Sequence, residues 1–97
     1  MSYYVYILRC SNGHLYYGYS GDLNRRLELH HQGKVRSTKP YLPIELVYYE
    51  NYQTAVEARK REKALKNGRT RYKTINRFIE TFPKEKLIPF CVRKSQG

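Results

Sequence analysis

The sequence predicts an α+β fold. Three observations predict it. An aromatic and β-branched hairpin opens the chain, a third strand follows one helix, and two more helical segments come after that strand. Ninety-seven residues make one domain, with no room for a second core.

Residues 3–10, Tyr-Tyr-Val-Tyr-Ile-Leu-Arg-Cys, read as the first strand. Ser11-Asn12-Gly13 is a turn, and His14 to Tyr19 is the second strand. The turn length decides what the hairpin can do. A two-residue Asn-Gly loop pairs Ser11 with His14 and sends Tyr6 and Tyr16 to opposite faces. A three-residue loop, with Gly13 in the left-handed region, pairs Cys10 with His14. It then puts both tyrosines on one face, because side chains alternate with period two. A site shared by Tyr6 and Tyr16 requires the second register, or a bulge.

Asp22 is the expected N-cap of a first helix that runs to about His31, with Gly33 as its stop. Leu23 and Leu27 mark its inner face. Residues 33–43 form a loop, and Ile44 to Glu50 a third strand. Thr54-Ala55-Val56-Glu57 is a capping box, opening a second helix that runs to about Lys66 and stops at Asn67-Gly68. Tyr72, Ile75, Phe78 and Ile79 lie at helical spacing, which predicts a third helix over 70–81, ended by Pro83. Leu87, Ile88, Pro89 and Phe90 can dock on the body. The last five residues are polar and expected to be disordered.

The composition is strongly basic, with 19 Lys and Arg against 8 Asp and Glu and a formal net charge of +11. That charge predicts attraction to polyanions and says nothing about fold. Eleven tyrosines, three phenylalanines and no tryptophan supply the aromatic packing. No apolar run is long enough to span a bilayer, and the N-terminus lacks a signal-peptide pattern, so the expected location is cytoplasmic, with no membrane partner. Cys10 and Cys91 are far apart and expected to be buried or idle thiols, in neither a bridge nor a cysteine metal site.

Glu62 is the most informative single residue. It shares one sector of the second helix with Ala55, Ala58 and Leu65, while Arg59, Lys60, Arg61, Lys63 and Lys66 surround it. An acid on the apolar stripe of a basic helix is either a buried salt-bridge partner or a metal ligand. A lone carboxylate suits Mg²⁺, which keeps several waters. Arg26 and His30 share a face of the first helix, four residues apart. They are either a solvated face or a phosphate grip with a histidine that orients water or bonds a tyrosine. Tyr6 and Tyr16 are either packing residues or site residues. His14 and His31 read as bystanders.

Taken together, these residues resemble the GIY-YIG nuclease superfamily, especially its small stand-alone single-domain members. The likeness spans about residues 3–80. Val5-Tyr6 matches the first motif, with Tyr4 where the family often has glycine. Tyr16-Tyr17-Gly18 matches the second, with Tyr17 in the isoleucine position. Arg26 and His30 match the helix motif, and Glu62, within Glu57-Ala58-Arg59-Lys60-Arg61-Glu62, matches the metal-binding glutamate. The chain departs from the pattern at the asparagine many members carry after that glutamate. Asn76 is nearby, on the third predicted helix.

The resemblance implies a three-stranded antiparallel sheet flanked by helices, with 1–82 as the nuclease-like domain and 83–97 as a tail, partly docked and then disordered. It implies metal-dependent hydrolysis of DNA phosphodiesters with one Mg²⁺ or Mn²⁺ ion, in a setting such as repair or recombination. Tyr6 would be the general base, Tyr16 would place the water or hold the phosphate, Arg26 would stabilise phosphate charge, and Glu62 would hold the metal. Such a base needs its pKa lowered from about 10, a task for Arg26 and the ion. With no additional domain, sequence preference is expected to be weak or supplied by a partner protein, on plain, structured or branched DNA. Lys34, Arg36, Lys39, Arg59, Lys60, Arg61, Lys63, Lys66, Arg69 and Arg71 are the expected nucleic-acid footprint. Two rivals stand beside this reading: a non-catalytic nucleic-acid-binding module of the same fold, and a basic structural protein of a ribonucleoprotein.

Overall fold

A computed structural model describes residues 2–68 and 72–90. Arg69, Arg71, Cys91 and the polar end of the chain lie outside the described residues. The elements run β1 (Tyr3–Arg9), β2 (Leu15–Ser20), α1 (Leu23–His31), β3 (Glu45–Tyr52), α2 (Ala55–Lys66) and α3 (Tyr72–Thr81), with short 3₁₀ turns at Lys39–Tyr41, Lys84–Lys86 and Ile88–Phe90. The strands form one antiparallel sheet in the order β2-β1-β3. The α+β architecture, a three-stranded antiparallel sheet flanked by helices, is therefore present.

The hairpin adopts the three-residue loop. The Cys10 N–H donates to the His14 carbonyl, the Gly13 N–H donates to the Cys10 carbonyl, and Gly13 takes φ +87°. The ladder then pairs Tyr6 with Gly18 and Leu8 with Tyr16. Tyr6 and Tyr16 consequently share a face.

Because β1 is the central strand, it is covered on both sides. Val5 and Ile7 pack with Val47, Ala58, Leu65, Ile75 and Ile79, beneath α2 and α3. Tyr6, Leu8 and Cys10 pack with Leu23, Leu27, Ile44 and Leu46, beneath α1. A bulge in β3 reconciles its two faces: Ile7 pairs with Tyr48 but Leu8 pairs with Leu46, leaving Val47 as the extra residue. Leu46 and Tyr49, three positions apart, thus both face the α1 side. The tail closes that side. Leu87 and Phe90 pack on it, and the Tyr49 hydroxyl donates to the Lys86 carbonyl at 3.1 Å.

The helix ends follow local chemistry. The Asp22 side chain accepts from the Arg25 N–H, and the Thr54 hydroxyl accepts from the Glu57 N–H. Gly33 at φ +76° lets the Lys34 N–H reach back to the Leu29 carbonyl, ending α1. The chain then turns into the segment before β3, which buries Val35 and Thr38. A solvated loop would not do this. Strand β3 begins one residue later than expected, at Glu45. Among the described residues, no helix is long and apolar enough to cross a membrane.

Candidate active site

Tyr6 reaches the site from the centre of the sheet. Its ring passes over Gly18, where any Cβ would lie 2.6 Å from the ring's Cζ and hydroxyl oxygen. Its hydroxyl lies 3.0 Å from His30 Nε2 on α1. His30 Nδ1 in turn lies 2.8 Å from the Thr38 hydroxyl, and Tyr6, His30 and Thr38 are all buried. Tyr16 completes the aromatic group, with its centroid 6.4 Å from Tyr6 and 5.1 Å from the His30 ring. The reading of His30 as part of a solvated helix face is corrected, because Leu23, Leu27 and His30 form the buried stripe of α1. Of its two proposed roles, the structure contains the hydrogen bond to tyrosine.

Arg26 lies one helical turn before His30. The Tyr6 hydroxyl beside its guanidinium raises its pKa further above the ordinary arginine value, and Tyr16 adds to the rise. For the Tyr6 phenol, burial dominates. Burial pushes it up to about 12, with the charges of Tyr16 and Glu62 adding to the rise. Arg26 pulls the other way and does not win. Desolvation of a phenolate inside the sheet outweighs one part-exposed guanidinium. His30 moves down to about 4, through burial first and the charges of Arg26 and His31 second. It is a neutral imidazole at neutral pH.

Glu62 lies on the buried stripe of α2 with Ala58 and Leu65. One carboxylate oxygen pairs with Lys66 Nζ at 2.7 Å, and its charge reaches the Tyr6 hydroxyl. The salt-bridge alternative is thus realised, through a lysine one turn further along the helix. Lys66 itself is half-exposed, and the bond to Glu62 raises its pKa.

These residues fit a hard divalent ion of the magnesium type. Among the described residues no group of three Asp, Glu, His or Cys side chains converges into a cage of the zinc or calcium kind. Magnesium is held through one or two carboxylates, with waters and substrate phosphate filling the rest. The Lys66 ammonium already shows that the Glu62 carboxylate attracts a cation at this spot.

The expected cationic footprint divides. Lys34, Arg36 and Lys39 are exposed on the α1–β3 segment, and Arg59, Lys60 and Lys63 on the outer face of α2. Arg61 is different. Its fork donates to both oxygens of Glu50 on β3, at 3.0 and 3.2 Å, and Tyr48 and Tyr52 donate to the same carboxylate. Burial pushes Glu50 up, but those donors prevail and hold it below the usual carboxylate value. Arg61 therefore fastens α2 to the sheet. Asn76 is half-buried on α3, with Ile75 and Ile79 as that helix's core contacts. His14 is exposed in the hairpin turn. A cavity of about 660 Å³ lies elsewhere, lined by residues including Arg9, Cys10, His31, Pro43 and Glu45, and by none of Tyr6, Tyr16, Arg26, His30 and Glu62.

Sequence reasoning missed Thr38 and the reason for Gly18. Gly18 was legible, since the three-residue turn pairs it with Tyr6. Thr38 carries no spacing signal within a polar, basic segment.

The GIY-YIG catalytic domain description matches residues 2–76. A UPF0213 protein of Staphylococcus aureus strain Mu3 is 48% identical over 66 residues, covering 67% of this chain and 80% of that one. The homologue in strain N315 matches to the same extent. The solution NMR structure of a UPF0213 protein from Bacillus halodurans is 33% identical, covering 92% of this chain and 84% of that one, with a TM-score of 0.48. This chain belongs to the GIY-YIG nuclease family.

Proposed function

We propose that this protein is a metal-dependent endonuclease that hydrolyses DNA phosphodiester bonds with little sequence specificity, in repair or recombination. The observation that carries this reading is the convergence of Tyr6, Tyr16, Arg26 and His30 on one face of the hairpin, within the field of Glu62. A structural or purely binding role does not require a buried acid beside two tyrosines and an arginine.

Arg26 grips a phosphate oxygen through its forked donors and balances charge as it develops. Tyr6 takes a proton from the attacking water. His30, neutral and 3.0 Å behind it, receives the proton that Tyr6 gives up. This arrangement bypasses a free phenolate, which the buried site disfavours. The water oxygen forms the new bond to phosphorus. The bond to the leaving strand breaks, its electron pair stays on the leaving oxygen, and solvent protonates that oxygen. Tyr16 orders the phosphate or the water beside it. Glu62 would hold Mg²⁺ or Mn²⁺, whose charge supplies Lewis-acid stabilisation to the phosphate when bound. The exposed lysines and arginines of α2 and the α1–β3 segment attract the DNA backbone, and a partner protein supplies any target preference.

The test is Mg²⁺-dependent nicking of plain and branched DNA, with Glu62→Gln as control. Cleavage by the parent alone is the expected result. A parent that binds DNA yet cuts none of these substrates with Mg²⁺ or Mn²⁺ makes the chain a binding module. Equal cleavage by both proteins removes Glu62 from the chemistry.

A further inference from the structure

The hydrogen-bond chain behind Tyr6 runs deeper than a tyrosine and a histidine. Tyr6 Oη lies 3.0 Å from His30 Nε2, His30 Nδ1 lies 2.8 Å from Thr38 Oγ1, and the Thr38 hydroxyl points at the Val35 carbonyl at 3.5 Å. All three side chains are buried, so these bonds are made within the protein.

Three protons must be placed along this chain, one each on Tyr6, neutral His30 and Thr38. In one arrangement Tyr6 donates to Nε2, Nδ1–H donates to Thr38, and Thr38 donates to Val35. Every proton then has an acceptor. In the reverse arrangement Thr38 donates to Nδ1 and Nε2–H donates to Tyr6. That arrangement makes the bonds of His30 to Thr38 and Tyr6 but leaves the Thr38–Val35 bond unmade, whereas the first makes all three.

We infer that Thr38 is a positioning residue: its hydroxyl holds His30 as the Nδ1–H tautomer, leaving Nε2 as the acceptor for the Tyr6 proton. The inference rests on the nuclease reading for its purpose but not for its geometry. It makes the proton path one-way. As Tyr6 takes a proton from water, its own proton passes to Nε2. The imidazolium that forms keeps its Nδ1–H on Thr38, and the proton returns through Tyr6 to solvent after the product leaves. The other tautomer would present an N–H to Tyr6 and block the transfer.

The experiment is ring ¹⁵N NMR of His30 in the full-length protein at neutral pH, in the parent, Thr38→Val and Thr38→Ser. The parent is expected to show a protonated Nδ1 and a pyridine-type Nε2. Thr38→Ser keeps that pattern, while Thr38→Val moves the proton to Nε2. Nicking is expected to fall tenfold or more in Thr38→Val and to recover in Thr38→Ser. A parent with the proton on Nε2 overturns the inference, and so does a folded Thr38→Val that keeps the parental tautomer. If Thr38→Val does not fold, the parental spectrum alone decides. A parent with the Nδ1–H ring that cuts no DNA supports the tautomer assignment and overturns only the nuclease reading.

Discussion

Gly18 sits directly across the β1–β2 ladder from Tyr6, and the tyrosine ring lies over it so closely that a Cβ would fall 2.6 Å from its Cζ and hydroxyl oxygen. The ring has no room to yield, since Tyr6 is buried and its hydroxyl is held by His30. Gly18→Ala should therefore displace the Tyr6 hydroxyl from His30. We expect a stability loss of about 1–3 kcal/mol, typical of overpacking, and at least a tenfold drop in nicking. Urea melts and a cleavage assay check both. The double variant Gly18→Ala/Tyr6→Phe should lose less stability than the sum of the two, because removing the hydroxyl relieves part of the clash. Strict additivity would mean the two residues do not press on each other.

A second expectation concerns pH. His30 titrates near 4 in the folded protein, against 6.5 for an ordinary histidine. Between those values the unfolded chain binds the proton and the folded chain does not, so stability rises with pH across that window. The contribution is fully present above 6.5 and is lost as the pH falls toward 4, amounting to on the order of 3 kcal/mol. Glu50 has the same sign but a lower window, beginning at 4.5 and extending downward. Urea titrations at pH 7, 5.5 and 4.5 should show the parent losing more stability than His30→Gln between the first two. Parallel losses would place the titrating group elsewhere.

The two roles of cationic residues on α2 can be separated. Arg61 is committed to Glu50, whereas Lys60 and Lys63 face outward. Arg61→Ala leaves a half-buried carboxylate without its cation and should cost about 3 kcal/mol. Lys60→Ala and Lys63→Ala should change stability by less than about 0.5 kcal/mol. On duplex DNA the order reverses. Each lysine that meets a phosphate should reduce the salt slope of binding by about 0.9, while Arg61→Ala should leave the slope unchanged in the folded protein. A slope reduced by Arg61→Ala would return that residue to the DNA interface.

The sequence was most legible where local chemistry decides. Asp22, Thr54, Gly13 and Gly33 each act at a helix end or turn through their own side chain or backbone freedom. Tyr6, Tyr16, Arg26 and His30 are read as a set from motif order, and the odd-residue turn brings the two tyrosines to one face. What was not legible depended on tertiary partners. Arg61 looks like its neighbours in a basic helix until β3 brings Glu50 beneath it. Thr38 looks like a loop residue until the segment after α1 folds under His30. How completely the site buries the Tyr6 phenol likewise depends on tertiary packing.

The last expectation concerns the Glu62–Lys66 pair. The ammonium lies 2.7 Å from the carboxylate, and the lysine side chain is 53% exposed. The ammonium can be taken over by solvent, whereas the carboxylate is only 10% exposed and is stabilised by a cation beside it. A divalent ion bound by Glu62 would have to displace the ammonium. Lys66→Met should therefore raise Mg²⁺ affinity several-fold, because the competing cation is gone, while lowering stability in metal-free buffer. Glu62→Gln should abolish Mg²⁺ binding and leave DNA affinity equal or slightly higher, since it removes one negative charge facing the phosphates. Calorimetric titration of Mg²⁺ into the three proteins checks this without reference to cleavage. If Lys66→Met binds Mg²⁺ no more tightly than the parent, the lysine and the metal do not compete for this carboxylate. If Glu62→Gln still binds the ion, the metal ligand is some other group.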